Sequence, residues 1–164
     1  MKEILPCEIK ENIVKLISKD WALLSAGDEK SWNTMTVSWG MMGELWGRDV
    51  VSVFVRPQRY TKQFIDGSDY FSLCFFDDDY KDALKICGSK SGRDIDKAAS
   101  TGLAPVFDKS SVYFEQAKLV IICKKIACSE MSDKDFIDQS INDCYPAGDF
   151  HTVYVGEIVS VLEK

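Results

Sequence analysis

Residues 33–61 read Asn33-Thr-Met-Thr-Val-Ser-Trp-Gly40, then a glycine-punctuated stretch, then Asp49-Val-Val-Ser-Val-Phe-Val-Arg-Pro-Gln-Arg-Tyr-Thr61. β-Branched and aromatic residues are dense in Thr34 to Trp39 and again in Asp49 to Val55, which predicts two strands, while Gly40, Gly43 and Gly47 predict an irregular connection between them. Pro57 cannot donate to a sheet ladder and holds Arg56 extended, so the second strand ends with Arg56, Arg59, Tyr60 and Thr61 close together. Thr61 to Gly67 then has the length and closing glycine of a two-turn helix. Guanidinium groups, hydroxyls and the unpaired amides of a helix start together suit a phosphate, so the stretch reads as the bed for a nucleotide-like cofactor. On spacing alone the plainer reading is favoured, because arginines around a proline are commonly surface residues and a threonine at a helix start is commonly a cap.

The rest of the chain bounds what this bed belongs to. Its 164 residues, 46% of them hydrophobic, suffice for one domain with a substantial core. No apolar run approaches the ~20 residues that span a bilayer, and the first residues lack a signal peptide's apolar segment, so a cytoplasmic protein off the membrane is expected. Six cysteines form no Cys-x-x-Cys pair and there is a single histidine, which argues for free thiols and against a metal site. A net charge of −6 argues against nucleic acid as a partner and makes the local cations near Arg56 and Arg93 stand out.

Three separated motifs occur in order: Asn33-x-Met35-Thr36-Val37-Ser38-Trp39-Gly40, Val55-Arg56-Pro57-x-Arg59-Tyr60-Thr61, and Cys87-Gly88-x-x-Ser91-Gly92-Arg93-Asp94-x-Asp96-Lys97. Together they resemble the flavoredoxin branch of the flavin reductase-like family, over nearly the whole chain from about Trp21. The resemblance implies a mainly β fold with peripheral helices (α+β), an FMN-binding split β-barrel of Greek-key type, and a homodimer. It also implies a bound FMN whose ring faces Met35, Thr36, Val37, Ser38 and Trp39 and whose phosphate is anchored by Arg56, Arg59, Tyr60 and Thr61. Ser91, Arg93 and Lys97 would approach the flavin from the third motif. Related reductases show Gly-Asp-His beside the nicotinamide; here the run is Gly148-Asp149-Phe150-His151, one residue longer, which weakens a catalytic role for His151 in direct nicotinamide oxidation.

Further elements follow from pattern. Ile9, Ile13, Leu16 and Ile17 at helical spacing predict an N-terminal helical extension within residues 1–20. Trp21 to Ser25, Ser68 to Phe76, Val112 to Phe114, Ala117 to Ala127 and Thr152 to Leu162 predict strands. The Gly40–Gly47 stretch is apolar for a loop, which suits either a partner surface or a loop folded back on its own core; the family resemblance implies a dimer contact beside the flavin, with Trp39 and Trp46 near its ring. Asp77, Asp78 and Asp79 are expected to cap a helix from Tyr80 to Cys87 closed by Gly88, and Ser132 with Asp135 to open a helix carrying Phe136, Ile137 and Ile141 inward. Ser89 to Lys97 matches no phosphate loop of the P-loop class, and no dinucleotide fingerprint occurs.

If FMN binds, the isoalloxazine carries the chemistry. The expected activity is oxidation of NADH or NADPH, with electrons passed to free flavin, a ferric complex or a protein. A non-enzymatic electron carrier and a flavin-free ligand-binding barrel are the alternatives.

Overall fold

The computed structural model describes residues 1–108 and 111–164. Among the described residues, ten strands are arranged around two apolar clusters. In chain order they are β1 (Lys2–Ile4), β2 (Ala22–Asp28), β3 (Ser31–Val37), β4 (Gly40–Leu45), β5 (Arg48–Val55), β6 (Tyr70–Phe75), β7 (Pro105–Phe107), β8 (Val112–Phe114), β9 (Leu119–Glu130) and β10 (Thr152–Glu163). The helices are α1 (Ile13–Lys15), continued as a π-helical turn over Leu16–Asp20, then α2 (Thr61–Gly67), α3 (Lys81–Ser89) and α4 (Lys97–Thr101).

The main sheet runs β3-β2-β6-β9-β10-β5-β4, with β1 on the tail of β10, and every pair is antiparallel. The chain leaves β5 through α2 and re-enters the sheet at β6, on the far side of positions later filled by β9 and β10. That crossover gives the non-sequential order expected of a Greek key. Alternation does the rest: Leu24, Ala26, Met35, Val51, Val53, Val55, Phe71, Leu73, Leu119, Ile121 and Tyr154 all turn to one shared core, so the sheet curls around it. Its two end strands, β3 and β4, are consecutive in the chain yet unpaired with each other, which leaves the barrel split at Ser38–Trp39. The outer face carries the second cluster, where Leu23, Cys74, Val120 and Ile122 meet Leu84 and Cys87 of α3 and Phe114 of β8.

Four expectations are corrected. The glycines of 40–47 do not make a loop: Gly40 to Leu45 is a strand paired with β5, and only Trp46 and Gly47 turn, both at positive φ (58° and 71°), the conformation a two-residue hairpin demands. The predicted N-terminal helix is confined to residues 13–20. Residues 2–4 instead add a strand to β10, and Pro6 to Glu8 make one 3₁₀ turn, although Ile9, Ile13 and Leu16 do reach the core. Residues 133–144 form two 3₁₀ turns rather than an α-helix. The carboxylates of Asp135 and Asp138 take the Ser132 and Ser140 amides, which competes with helix bonding, and Ile137 is left fully exposed while Phe136 is buried. Finally, none of Asp77 to Asp79 makes a side-chain cap bond. Asp78 and Asp79 form a 3₁₀ turn with Tyr80 before α3, Asp77 is extended, and the helix runs through Gly88 to Ser89.

No helix among the described residues is long and apolar enough to cross a membrane. The six cysteines are free, with Cys74, Cys87 and Cys123 buried. Among the described residues no group of side chains has the make-up of a metal site.

Candidate functional site

The split between β3 and β4 opens onto two adjoining chambers that share Met35 and Arg59. The first, about 230 Å³, is lined by Met35 to Trp39, Phe54, Arg56, Arg59 and His151. The second, about 300 Å³, is lined by Asn33, Met35, Gln58 to Thr61, Ser89, Lys90, Ser91 and Lys97. Strand β3 runs beneath both. Its position is held from outside by α3, where the Thr36 hydroxyl donates to the Leu84 carbonyl, and from the side by α2, where Asn33 donates to the buried Thr61 hydroxyl at 2.9 Å.

The second chamber is cationic, with no aspartate or glutamate among its lining residues. Lys97 is only 6% exposed, and its ammonium donates to the carbonyls of Thr34 and Cys87, each at 2.7 Å. No carboxylate pairs with it among the described residues. Burial pushes this ammonium below the usual lysine range; the neighbouring Cys87 opposes the change, and the Arg59 charge adds a smaller push in the same direction as burial. An anion entering the chamber would supply the missing counter-charge. Arg59 bonds to the Gly88 carbonyl at 2.9 Å and is otherwise exposed, and the Arg93 guanidinium stacks on Tyr60 at 4.4 Å. Gly92 lies so close to the bed that a Cβ there would fall 2.2 Å from Asn33 Oδ1, so the 89–96 loop is seated against β3.

The first chamber is aromatic; of its two lining cations Arg56 is paired with a carboxylate and Arg59 sits on the edge shared with the second chamber. Trp39 and Phe54 flank His151, at centroid distances of 5.2 and 6.3 Å. Arg56 reaches this side, but its guanidinium is bonded to Asp149 at 2.5 Å and to the Cys144 carbonyl at 2.8 Å, and it covers the Tyr145 ring. Gln58 donates to the same Asp149 oxygen, and these two bonds hold the Asp149 carboxyl below the usual carboxylate range. Tyr145 Oη is 2.7 Å from His151 Nδ1.

Burial, with Arg56 nearby, lowers the His151 pKa from 6.5 to about 4. Since the folded protein binds this proton less tightly than an unfolded chain does, the stability linked to His151 is fully present above about pH 6.5 and is lost as pH falls toward 4. Between pH 7 and pH 4.5 the wild type should lose up to ~2 kcal/mol that His151→Gln does not lose. Urea unfolding at both pH values reads the difference; equal losses in the two proteins would refute it.

The four residues Arg56, Arg59, Tyr60 and Thr61 thus divide between the chambers. Arg59, Tyr60 and Thr61 line the cationic one with Ser91 and Lys97, Arg93 stacks above Tyr60, and Arg56 stands on the aromatic side, committed to Asp149. Sequence reasoning passed over Phe54, Gln58 and Tyr145. Phe54 was open to discovery, because alternation in β5 sends Val53 and Val55 inward and Phe54 to the other face. Tyr145 carries no local signal; its place depends on stacking with Phe136 and Phe150 in an irregular segment.

The model of the flavin reductase like domain matches residues 15–164. No curated protein matches the sequence. Among solved structures, flavoredoxin from Methanosarcina acetivorans superposes with a TM-score of 0.70 at 19% identity, covering 88% of this chain and 68% of that one. Flavoredoxin of Desulfovibrio vulgaris (Miyazaki F) gives 0.69 at 21%, covering 100% and 77%. The FMN-binding protein from Thermus thermophilus with bound 1-cyclohex-2-enone gives 0.70 at 20%, covering 99% and 78%. At these identities the likeness establishes the split-barrel fold.

Proposed function

Because the chain belongs to the flavin reductase-like domain family, we propose that it is an FMN-binding oxidoreductase of the flavoredoxin branch, passing electrons from NADH or NADPH through flavin to a small-molecule or protein acceptor. The observation that carries this reading is the pairing, over a single strand, of a chamber lined by Arg59, Lys90 and Lys97 without a carboxylate and an aromatic one whose Arg56 is paired with Asp149. A phosphate fits the first: Lys97, Arg59 and Lys90 supply charge, Tyr60, Thr61, Ser89 and Ser91 supply hydroxyls, and the net charge of −6 makes local cations necessary for a dianion to approach. A planar ring fits the second, along the backbone of Met35 to Trp39 with Trp39 as a wall against solvent.

When bound, FMN supplies hydride acceptance and single-electron transfer, so the chain need supply no acid, base or nucleophile. Its own residues bind and orient. Lys97 sets the potential of the phosphate chamber, Asn33 and Thr61 fix the angle between β3 and α2, and Asp149 keeps Arg56 from making the ring chamber cationic.

Purified protein should show absorption bands near ~450 and ~370 nm, with FMN released on denaturation. A colourless protein that takes up no added FMN would refute the reading. The lengthened Gly148-Asp149-Phe150-His151 run favours a second reading, an FMN electron carrier without nicotinamide turnover. Steady-state consumption of NADH and NADPH separates the two.

A homodimer is proposed as the working form, on the exposed apolar edge formed by Trp39, Met41, Leu45 and Trp46. Sedimentation at micromolar concentration should give the mass of two chains. Met41→Lys together with Trp46→Lys should give one, and a wild-type monomer would remove the proposal.

A further inference from the structure

The flavin reading assigns no role to Tyr145, yet this side chain decides what His151 offers to the cleft. Tyr145 is buried, stacked on Phe136 at 5.7 Å, packed against Phe150 at 5.0 Å and covered by the Arg56 guanidinium at 5.1 Å. Among the described residues, the only partner of its hydroxyl is His151 Nδ1, at 2.7 Å. Two arrangements satisfy that distance. If Nδ1 donates, the proton of the buried tyrosine is left among aromatic rings without an acceptor, whereas if the tyrosine donates, the only unpaired hydrogen of the two is the imidazole's, on the side of the open chamber. The second arrangement wins by the cost of a buried unsatisfied donor. It leaves the imidazole hydrogen on Nε2, which has no partner among the described residues and is not sealed off from solvent, on a ring that lines the aromatic chamber.

The surrounding charges restrict what such a donor recognises. Arg56 is paired with Asp149, Gln58 is bonded to the same carboxylate, and Trp39 and Phe54 supply aromatic walls. The chamber therefore offers one neutral N–H between flat apolar faces, with the Arg59 guanidinium at the edge it shares with the phosphate chamber. We propose that Tyr145 is a positioning residue that fixes His151 as the neutral Nε2–H tautomer, making the aromatic chamber a site for a planar carbonyl group. The lowered pKa of His151 keeps the ring neutral throughout the physiological range. Two sources can bring that carbonyl, a ring carbonyl of bound flavin or a carbonyl-bearing second reactant. The proposal rests on the flavin reading for the first source alone.

The chain has a single histidine, so ¹⁵N-histidine labelling gives one unambiguous imidazole. In wild-type protein at pH 7, Nδ1 should resonate as a pyridine-type nitrogen and Nε2 as a pyrrole-type nitrogen, with or without FMN. Tyr145→Phe should give a mixture of tautomers and about fivefold weaker binding of the probe acetophenone. A hydrogen on Nδ1 in the wild type overturns the proposal without recourse to any variant, and so does an unchanged tautomer in folded Tyr145→Phe. A downfield shift of the Nε2 proton on FMN addition identifies the flavin carbonyl as partner, a shift only on adding acetophenone identifies a second reactant, and no shift with either overturns the carbonyl site. Flavin fluorescence on the same samples keeps the two readings apart. The expected tautomer without FMN uptake refutes the flavin reading alone, and FMN uptake with the hydrogen on Nδ1 refutes this proposal alone.

Discussion

Gly156→Ala is expected to lower the unfolding free energy by about 3 kcal/mol, through overpacking at a point where three strands have no room to yield. A Cβ at this position of β10 would lie 2.6 Å from the Cβ of Cys123 and 2.6 Å from Cε1 and Cζ of Phe71. Both neighbours are fully buried, and they are register partners on β9 and β6, so neither side chain can swing into solvent. Beside Gly156 the β9–β10 register shifts, with Val155 facing Ala127 and Gly156 facing Lys125. The extra residue of that bulge is Ile126 on β9, so β9 bends where it passes Gly156, and the glycine backbone fits against Cys123 and the Phe71 ring. Relief must come from moving β9 and β10, which carry the spine of the barrel. Urea denaturation measures the loss, and adding Phe71→Leu to Gly156→Ala should restore roughly 1 kcal/mol because the two sites share one space. A single variant within ~0.5 kcal/mol of wild type would mean that β10 is not held against Phe71.

Lys97→Met should act on two observables that Arg59→Ala separates. The Lys97 ammonium is buried, has no carboxylate partner among the described residues and supports the carbonyls of β3 and α3 at the back of the phosphate chamber. Removing it takes a charged donor from two carbonyls, a cost of about 2 kcal/mol in stability. It also removes the nearest buried positive charge from the proposed phosphate position, so FMN affinity should fall by roughly tenfold or more. Arg59 is exposed and bonded to one carbonyl. Its replacement should weaken FMN by a similar factor, about 1–2 kcal/mol, and leave the unfolding midpoint close to wild type. Isothermal titration with FMN and urea melts on both variants give the comparison. Unchanged FMN affinity in both would move the phosphate out of this chamber, and reduced stability of Lys97→Met alone would make the lysine purely structural.

What the sequence reveals of this fold depends on how local the deciding contact is. The strands β2, β3, β5, β6, β9 and β10 are dense in β-branched and aromatic residues and are legible, as is α2 between Pro57 and Ser68. Strand β4 is not, since Gly40 and Gly43 argue against a strand and only pairing with Val50 to Val53 of the next strand overrides them. The N-terminal strand is equally hidden, being created by an unfilled edge on β10 some 160 residues away. In the site, motifs placed Met35 to Trp39 and Arg59 to Thr61 on one surface. They did not foresee that Arg56 would be drawn to Asp149, 93 positions later, or that Lys97 would turn inward. Both outcomes are set by which charges meet in space, and spacing along the chain carries no record of that.

The split in the barrel also has a consequence in time. Strand β9 is bonded on both sides, by β6 and β10, whereas β4 ends the sheet with one edge that no described strand covers. Amide hydrogens facing that open edge should exchange with deuterium at near-intrinsic rates, while those of β9 wait for global unfolding. The chain thus carries its fastest and slowest clocks on strands of the same sheet. Any partner that settles on the β4 edge would slow the fast clock first, and the protein concentration at which it slows would give the strength of that encounter.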